Sequence, residues 1–572
     1  MSRAIAVLLL LCTLTFLTGL GRPAIADSDE AYYAESAREM IERGDWLTPY
    51  YNYELRFQKP ILFYWMIGVL YGLVGVGPAA ARFPAALAGV GLCLVCYWCA
   101  RRWYDERTGL LAGAIAATNF GYFAMARQSL PDLPLAFFIS VSVWAGIEGF
   151  APIGCRSTAE PSTDRPPPVR RWILLSAAAA AAAFLTKGPV GIALPALVIA
   201  AVLGVHLWPG RRRPWTALRS QLRWTDLVLA LAVFLTIAVP WYFAMWSEHG
   251  WAYLHRFFIA ENLERFASTR YNEPRGWWFY PPIIVAGLLP WSGFLILWAA
   301  PMVRVLRGLR PPTAVEARLA LWTFAILGFY TWSIGKQPRY VLPILPPLAI
   351  LLAGAIAARL SGIARRSSRD RGLTTGGLLA GATLLVLGIL VDRAQPLFAA
   401  ISPEGVVAAG TVLAVTGVGV AAASLPRRGT LAPVATVGGG VVCLLALHYL
   451  VLSSGGPDPV QRMTASVNAH RLSDEPVGAY RVFVRNLPFY LEQRTEDLYD
   501  AQKLEAFLRS PDRVLCVLEE RDLIELESAG VLQRPQRLEE IDYFNPATLR
   551  IAMLLRPDPG EDLEKVVLIA NR

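Results

Sequence analysis

The segment DSDEAYYAESAREM, residues 27–40, begins a few residues after an apolar run, residues 4–20, that is long enough to lie buried in lipid. Two Asp and two Glu occur within its first nine residues. Two explanations fit this arrangement. Either the segment begins a secreted mature chain, or its acids are held at a membrane surface to do chemistry. The rest of the sequence decides between them.

The composition of the chain indicates an integral membrane protein. Of 572 residues, 55% are apolar and only 17% are charged, whereas soluble domains carry about 25% charged residues. Apolar runs of roughly 17 to 24 residues recur along most of the length, which is typical of membrane-spanning helices. The formal net charge of +10 comes mostly from short loops between these runs. Lys and Arg in such loops mark the cytoplasmic side, so nucleic-acid binding is a poor interpretation.

Basic clusters define the predicted cytoplasmic loops. They are Arg101–Arg102, Arg165 with Arg170–Arg171, Arg211–Arg213, Arg304 with Arg307 and Arg310, Arg365–Arg366 with Arg369, and Arg427–Arg428. Threading the apolar runs between these clusters predicts thirteen spans. After a first helix at residues 4–20, they lie near 80–100, 108–126, 133–150, 172–186, 190–207, 225–246, 280–300, 314–333, 341–358, 374–391, 404–424 and 430–453.

Two apolar segments near the start, the first run and Ile61–Val76, are not assigned by the charge pattern alone. The first apolar run, followed by Ala24-Ile25-Ala26, also fits a cleavable signal peptide, but either interpretation places Asp27 outside the cytoplasm. The run Ile61–Val76 would break the charge alternation if it crossed the membrane. We therefore expect it to lie along the outer interface as a juxtamembrane helix, with Tyr64, Trp65 and Tyr71 at the headgroup level.

The predicted fold class is an α-helical polytopic membrane protein with a small C-terminal α/β domain. Residues 1–455 form the membrane domain, in which residues 27–79 are the first periplasmic loop, and residues 456–572 form a soluble periplasmic domain. In this tail, apolar runs that predict strands alternate with helical stretches DAQKLEAFLRS and RDLIELESAG. The strand-like runs are VGAYRVFV, RVLCVLEE, TLRIAMLLRP and KVVLIA.

The cysteines and histidines show no metal-binding spacing. Cys93, Cys96 and Cys99 recur every third residue on one apolar helix, which predicts a lipid-facing or helix-facing stripe. The tail contains neither a Gly-rich phosphate loop nor a recognisable catalytic triad.

Charged residues from separate outer segments form the strongest functional signal, because charges at membrane depth are costly and usually mark a site. Acids and bases from loops of one face would make a pocket that opens toward the bilayer. A lipid phosphate suits such a pocket, since its anion needs Lys and Arg donors and its chain needs an apolar wall. The acids could bind a metal ion or remove a proton from an acceptor hydroxyl. The set comprises Asp27, Asp29, Glu30, Arg56, Lys59, Arg127, Asp132, Lys187, Arg256, Glu261, Glu264, Arg265, Lys336, Arg339 and Tyr340.

Simpler explanations exist for single members of this set. Asp27 fits an ordinary solvated residue after a span, and Lys187 fits a side chain that extends to the headgroups. Lys336 and Arg339 fit residues that anchor a helix end at the membrane interface. Asp132, between prolines in SLPDLPL, fits a residue that only caps the next helix.

Several segments resemble those of the bacterial GT-C membrane glycosyltransferases, the aminoarabinose transferase and protein mannosyltransferase-like group. The resemblance covers roughly residues 1–360 in order, and beyond them the layout alone is similar: further spans, then a soluble outer domain. The segments are DSDEAYYAESAREMIERGDWLTPYYNYELRFQKPILFYW, ARQSLPDLPLAFF, FLTKGPVGIALP, PWYFAM, FFIAENLERF, WWFYPPIIVAGLLPW and SIGKQPRYVLPILPPLAIL.

The resemblance implies an inverting transfer of a sugar from an undecaprenyl phosphate or other polyprenyl-phosphate donor. The implied acceptor is lipid A or lipopolysaccharide, a protein, or another envelope glycan at the outer face of the inner membrane. It implies three groups of site residues: catalytic Asp29, Glu30 and Asp132; phosphate-binding Lys59, Lys187, Arg265, Tyr340, Lys336 and Arg127; and acceptor- or sugar-binding Tyr32, Tyr33, Gln58 and Glu261.

Two positions depart from the family's motifs. Gln58 in FQKP stands where the aminoarabinose transferases have a Glu that is associated with metal and substrate binding, and Tyr32 stands where they have an Arg. These departures weaken any claim that the sugar is aminoarabinose or the acceptor lipid A. They also leave open whether a divalent ion, Mg²⁺, Mn²⁺ or Zn²⁺, is needed. Membrane lipids are expected neighbours, and a monomer is expected.

Two other classes of function remain as alternatives. A secondary transporter would also place charges in broken helices, but many transporters are built from two matching halves, and no internal repeat is visible here. A polyprenyl-lipid binding protein or flippase without catalytic activity is the second alternative. The Asp29, Lys59, Asp132 and Lys187 set argues against it.

Overall fold

The computed structural model describes residues 3–151, 169–207, 223–267, 274–366, 370–398, 403–425, 429–453, 457–472, 475–530, 535–544 and 550–572. Among the predicted cytoplasmic residues, Arg165, Arg211–Arg213, Arg369 and Arg427–Arg428 lie outside these ranges.

A bundle of helices makes up the first four fifths of the chain. In chain order the helices are α1 (Arg3–Cys12), α2 (Asp29–Arg43), α3 (Leu62–Val74), α4 (Pro78–Trp103), α5 (Glu106–Thr118), α6 (Phe120–Ala126), α7 (Asp132–Phe150), α8 (Arg170–Lys187), α9 (Val190–Leu207), α10 (Trp224–Leu254), α11 (Arg265–Ala267), α12 (Tyr280–Gly287), α13 (Ile296–Leu306), α14 (Ala314–Trp332), α15 (Leu345–Arg366), α16 (Arg371–Arg393), α17 (Pro403–Ala423) and α18 (Ala432–Ala446).

Within the described residues, seven helical segments are long and apolar enough to cross a membrane. The number is nine if each of two bent pairs, α5 with α6 and the segments Trp277–Gly287 with Trp291–Leu306, counts as one span. The other predicted spans coincide with helices outside that criterion, namely Arg3–Leu17, α8, α9 and α14. All thirteen predicted segments are therefore helical, while their crossing of the membrane as thirteen spans stays a prediction.

The first helix packs inside the bundle. Leu8, Cys12 and Phe16 are fully buried or nearly so. Gly113 of α5 allows this close packing, since an added Cβ would lie 2.8 Å from Leu8 Cδ1. The predicted cysteine stripe of α4 faces other helices rather than lipid, because Cys93, Cys96 and Cys99 are all buried within the protein.

The first loop forms a compact layer of its own. Ser28 caps α2 by accepting a hydrogen bond from the Glu30 backbone N–H, and Gly44 ends the helix in the left-handed conformation. A short hairpin, β1 (Tyr50–Tyr51) with β2 (Glu54–Leu55), leads to α3.

Helix α3 packs on α2, and this packing corrects part of the headgroup prediction. Tyr64 and Tyr71 are buried in the protein, and the Tyr71 hydroxyl donates to the Ala34 carbonyl at 3.2 Å. Trp65 donates its indole N–H to the Trp46 carbonyl at 2.7 Å. These rings therefore join α3 to α2 and to the segment that follows it. The exposed face of α3 carries aliphatic side chains, Leu73 among them.

A buried ion pair fixes the start of α2 to α4. Arg82 of α4 donates to the Glu30 carboxylate at 2.7 and 3.1 Å, and both side chains are almost fully buried. The same guanidinium donates to the carbonyls of Leu20, Pro23 and Ala24. One side chain thus holds the connection between the first helix and α2, the segment that carries Asp29.

The tail is a small α/β unit with a five-stranded sheet in the order β4-β3-β5-β7-β6. Pairs β3–β4 and β3–β5 are parallel, and β7 is antiparallel to β5 and β6. The strands are β3 (Val477–Tyr480), β4 (Glu496–Leu498), β5 (Leu515–Glu519), β6 (Gln536–Tyr543) and β7 (Glu564–Ala570). The helices are α19 (Pro459–His470), α20 (Leu487–Leu491), α21 (Ala501–Leu508), α22 (Glu520–Ser528), α23 (Ile551–Leu555) and α24 (Pro559–Asp562).

Most of the predicted tail elements form, and one is wrong. Three apolar runs are strands β3, β5 and β7, and both predicted helices occur as α21 and α22. The run TLRIAMLLRP contains helix α23 instead of a strand, and its residues up to 549 lie outside the described ranges. Strand β6 was not predicted, because its sequence QRLEEIDY carries charges on an edge strand with one mainly exposed face.

The tail docks on the first loop through specific hydrogen bonds. Asn52 exchanges two hydrogen bonds with the Thr495 backbone, at 2.7 and 2.9 Å. Asp27 accepts from the Arg485 backbone N–H at 2.8 Å, and the Tyr490 hydroxyl accepts from Ile25 N–H at 2.7 Å. This contact brings the tail next to Asp29.

We expect Arg82→Ala to destabilise the protein by about 3–5 kcal/mol, because it leaves the Glu30 carboxylate buried without a counter-charge. Thermal unfolding of the detergent-purified protein, followed by tryptophan fluorescence, measures this. Arg494→Ala is the matched control, since its exposed guanidinium pairs with Glu54 on the surface and its removal should change stability by less than about 1 kcal/mol. Equal melting temperatures for the two variants would contradict the prediction.

Candidate active site

Two carboxylates of the site belong to residues that begin a helix. Asp29 begins α2 and Asp132 begins α7. The positive end of a helix dipole favours an ionised carboxylate at both places. The Asp29 side chain is about half exposed (46%), whereas Asp132 is buried (5%).

Arg339 joins these two carboxylates. It lies on a 3₁₀ turn, Pro338–Ile344, that leads into α15. Its Nη2 donates to Asp29 Oδ2, and its Nε lies 3.5 Å from Asp132 Oδ2 without making a hydrogen bond. Both carboxylates therefore face the same Nε–Nη2 edge of one guanidinium.

Lys187 is the second partner of Asp132, with Nζ 2.5 Å from Oδ1. It is the last residue of α8, and a break at Gly188-Pro189 separates α8 from α9. Gly188 has φ +85°, and an added Cβ would lie 2.6 Å from Phe257 Cζ. Only glycine fits there, so this residue fixes the direction in which Lys187 leaves the helix. Asp132 is thus held by two cations, so it does more than cap α7.

A second cluster is centred on Glu261, in the π-helical segment His255–Glu264. The buried Glu261 carboxylate lies 3.7 Å from Lys59, 3.5 Å from Arg256 and 3.4 Å from Arg265. Three cations share one carboxylate, so the cluster carries excess positive charge.

A cavity of about 430 Å³ begins at these cations. Its polar end is formed by Lys59, Lys187, Arg265 and Glu261, and Tyr340 lines it beside Lys187. The remaining wall is mainly aliphatic and aromatic, with Val190, Ala193, Phe258, Phe266, Phe329 and Tyr330. The cavity therefore suits an amphipathic ligand with an anionic head and an apolar chain.

Burial and nearby charges shift the pKa values of two groups in the first loop, Lys59 and Asp29. Burial, with the nearby Arg265 and Lys187, lowers the pKa of Lys59 to about 7. Burial opposes ionisation of Asp29, but Arg339, and after it Arg485 and Lys59, outweighs that effect and lowers the pKa of Asp29 below 3.8. Asp29 is therefore ionised at neutral pH, whereas Lys59 is poised to gain or lose its proton.

Four of the predicted site residues are engaged elsewhere. Glu30 is buried in the ion pair with Arg82, and Ser129 N–H also donates to it, so we correct its predicted catalytic role to a structural one. Arg127 donates to the carbonyls of Thr15 and Thr18, which ties α6 to the first helix rather than to the cavity.

The other two also serve the framework. Lys336 donates its ammonium to the Ser333 carbonyl and is buried beneath the cavity wall. Tyr33 is packed between Phe63 and Tyr64, with ring centroids 5.4 and 5.3 Å away. Lys336 is absent from the residues that line the described cavity, and Tyr33 is buried but lies near Asp29 and Asp132.

Tyr32 and Gln58 lie nearer the site. The guanidinium of Arg56 stacks over the Tyr32 ring at 4.0 Å, and that of Arg485 lies over it at 5.7 Å. Gln58 has a buried Oε1 atom without a hydrogen-bond partner. Tyr32 thus stands one turn from Asp29 between two cations, on the side that faces the tail.

Sequence reasoning missed two residues of this arrangement. Arg339 was recognised as an outer-face charge but received no role, although the GKQPRY motif places it next to Tyr340. Arg485 had no sequence signal at all, because its position beside Tyr32 arises only from docking of the tail on the first loop.

The residues present do not fit a divalent cation. Asp29 and Asp132 are neutralised by Arg339 and Lys187, and Gln58 offers a neutral amide where a carboxylate ligand would be needed. Among the described residues, no group of three or more His, Cys, Asp or Glu side chains is arranged to hold a metal ion. Hard cations need several free oxygen ligands with excess negative charge, which these side chains do not supply.

Comparisons with known proteins agree with this architecture. The family model for dolichyl-phosphate-mannose-protein mannosyltransferase matches residues 7–255. An undecaprenyl phosphate-alpha-4-amino-4-deoxy-L-arabinose arabinosyl transferase of Edwardsiella ictaluri is 31% identical over 408 residues, which cover 69% of this chain and 67% of the relative. The protein of the same name from Pseudomonas paraeruginosa is 31% identical over 393 residues, covering 67% of this chain and 65% of the relative.

The fold is shared with a solved structure over nearly the whole length. The crystal structure of ArnT from Cupriavidus metallidurans bound to undecaprenyl phosphate superposes with a TM-score of 0.71 at 23% identity. The match covers 99% of this chain and 98% of that chain. The predicted fold class, a GT-C membrane bundle with a small C-terminal α/β domain, is confirmed.

Gly188→Ala and Gly328→Ala form a matched pair of variants. Gly188→Ala forces a positive φ on alanine and a clash with Phe257, and should destabilise the protein by about 1–3 kcal/mol. Gly328 lies within α14 with open space around it, so alanine there should be neutral or stabilise by up to about 1 kcal/mol. The melting temperature of the purified protein should fall for Gly188→Ala and should stay the same or rise for Gly328→Ala. An unchanged melting temperature for Gly188→Ala would show that the break tolerates a side chain.

Proposed function

Because this chain belongs to the family of undecaprenyl phosphate–aminoarabinose arabinosyl transferases, membrane glycosyltransferases of the GT-C fold, we propose that it transfers a sugar from a polyprenyl-phosphate donor to an acceptor at the outer face of a bacterial inner membrane. It is a polyprenyl-phosphate-dependent glycosyltransferase. The sugar, the acceptor and the role of each site residue are parts of the proposal.

The observation that carries the proposal is the cavity with cations at one end and an apolar wall beyond them. The donor phosphate lies among Lys59, Lys187 and Arg265, and the isoprenoid chain follows the wall past Phe258 and Phe329. The aliphatic and aromatic side chains there replace lipid around the chain, while the cations replace water around the phosphate.

Asp29 is the proposed general base. Its carboxylate is ionised and partly exposed, whereas that of Asp132 is buried between two cations. A base must reach the acceptor hydroxyl, and Asp29 is the more accessible of the two. Asp132 positions Lys187 and Arg339 instead.

The reaction follows from this assignment. The acceptor hydroxyl loses its proton to Asp29, and its oxygen forms a bond to the anomeric carbon from the face opposite the phosphate. The bond between the anomeric carbon and the phosphate oxygen breaks, and the polyprenyl phosphate leaves with the electron pair. Lys59, Lys187 and Arg265 stabilise the charge that develops on the leaving phosphate. Attack from the opposite face inverts the anomeric configuration.

The acceptor approaches from the side of the tail. Arg56 and Arg485 both lie over the ring of Tyr32, one helical turn from Asp29, and all three belong to the first loop or the tail. The predicted topology places these segments in the periplasm. We propose that a monomer is sufficient for the reaction.

We expect Asp29→Asn to lower the transfer rate by about 10²–10⁴-fold, because the amide cannot accept the hydroxyl proton. Protein in lipid nanodiscs receives a panel of polyprenyl-phosphate sugars with a crude envelope extract as acceptor, and mass spectrometry follows release of polyprenyl phosphate. Glu54→Gln, an exposed change in the same loop, is the control and should match wild type.

This assay separates the remaining explanations. Release by wild type and Glu54→Gln but not by Asp29→Asn identifies the donor sugar and supports the base. An Asp29→Asn protein as fast as wild type removes the base assignment. Binding of every donor without release would favour a lipid-binding protein without transferase activity.

We expect donor affinity to fall as pH rises above 7. Lys59 has its pKa lowered to about 7, so it is charged below that pH and loses its proton above it in the free enzyme. The bound phosphate favours the charged form, so binding at higher pH must take up a proton, and affinity falls by up to about tenfold per pH unit.

Lys59→Arg provides the test of this pH dependence, because a guanidinium stays charged throughout the range. Donor binding to both proteins is measured between pH 6 and pH 9 with a polyprenyl-phosphate sugar, whose phosphodiester keeps one charge. The Arg variant should show a flat profile. Parallel profiles for the two proteins would show that another group controls the pH dependence.

A further inference from the structure

We propose that Arg339 takes the place of a divalent cation between Asp29 and Asp132, so that this protein transfers its sugar without a metal ion. The inference rests on the proposed function. It assigns Arg339 as a positioning residue, which acts on the reaction through Asp29.

The first support is the geometry of the guanidinium. Nη2 donates to Asp29, Nε lies 3.5 Å from Asp132 Oδ2, and the side chain is mostly buried. A rigid planar fork can hold two carboxylates on one edge at a fixed separation, which a lysine ammonium on its flexible stem cannot do. A metal ion bridging two carboxylates would serve the same structural purpose.

The second support is the local charge. Asp29 and Asp132 meet Arg339 and Lys187, so this group of four is already neutral. In the neighbouring cluster, Lys59, Arg256 and Arg265 all lie 3.4–3.7 Å from the single carboxylate of Glu261, so these ion pairs contain more basic groups than acids before any ligand binds. A divalent cation would add to that surplus in a partly buried site, whereas an anionic donor reduces it.

The third support comes from Gln58. Its Oε1 is buried and lacks a hydrogen-bond partner, and as a neutral amide it brings no charge to attract a cation. The amide could supply one neutral oxygen ligand at most, without the negative charge that a carboxylate would bring to a cation.

The consequence for the reaction concerns Asp29. Arg339 keeps its carboxylate ionised and fixes one oxygen, which leaves the other oxygen for the acceptor hydroxyl. The remaining cations near Asp29 are Arg485 and Lys59, and Tyr33 and Tyr64 also lie near it. Loss of Arg339 should therefore release the oxygen that it fixes and raise the pKa of Asp29, so that a smaller fraction of the base is ionised at a given pH.

The test compares wild type, Arg339→Ala, Arg339→Lys and the surface control Arg494→Ala in nanodiscs. Metal content is measured by mass spectrometry, and transfer is assayed with and without a chelator. We expect wild type to contain no stoichiometric metal and to be unaffected by the chelator. Arg339→Ala should lose about 10²-fold in turnover, and the acid limb of its pH–rate profile should move to higher pH. Arg339→Lys should recover part of the loss.

Three results would overturn the inference. They are a stoichiometric divalent ion in wild type, chelator inactivation that Mg²⁺, Mn²⁺ or Zn²⁺ reverses, and an Arg339→Ala variant with the wild-type pH profile. If Arg339 had a purely structural role, Arg339→Ala would lower the yield of folded protein without moving the acid limb of the pH–rate profile. Melting temperatures, with Arg494→Ala as the control, distinguish this case.

A Mn²⁺ titration keeps this test independent of turnover. If wild type released no polyprenyl phosphate from any donor, the proposed function would fail while the titration still decided the inference. Mn²⁺ binding by Arg339→Ala but not by wild type supports it, because removing the guanidinium frees Asp29 and leaves Asp132 paired with Lys187 alone. Mn²⁺ binding by wild type that Asp29→Asn abolishes refutes it.

Discussion

The site depends on the mutual neutralisation of four charged side chains that come from four separate elements. Asp29 begins α2, Asp132 begins α7, Lys187 ends α8, and Arg339 precedes α15. Any one of them left alone in a mostly apolar bundle would carry a large desolvation penalty, whereas together they form a neutral group. The positions of these elements are therefore coupled, and the catalytic geometry is a property of the bundle rather than of a single loop.

The neighbouring cluster works on a different principle. Glu261 is one carboxylate shared by three cations, so it holds Lys59, Arg256 and Arg265 near each other. In the proposed reaction the donor phosphate adds negative charge to this cluster. Burial, together with the neighbouring Arg265, lowers the pKa of Lys59 to about 7. In the proposed reaction, the neutral group fixes the base, and the positive cluster binds the leaving phosphate.

The sequence predicted the elements well and the directions of their side chains less well. Long apolar runs and basic loops determine where helices form, so the spans could be located. Glu30 follows Asp29 directly, and both were assigned to catalysis, yet successive helical residues point about 100° apart. Asp29 faces Arg339 and Glu30 faces Arg82 on α4. Tyr64 and Tyr71 illustrate the same limit, because their apolar helix fits either a lipid surface or the packed layer on α2.

Sequence patterns could not predict the contacts between distant parts of the chain. Arg485 lies beside Tyr32 only because Asn52, Asp27 and Ile25 bind the tail through backbone and side-chain hydrogen bonds. Those bonds join the segment that leads into Asp29 to a domain with its own core. The tail therefore braces the start of α2. If Asp29 is the base, the docked tail also borders the route by which an acceptor reaches it. On the proposed mechanism, the membrane bundle then determines how the donor is held, and the tail determines which acceptors can approach Asp29.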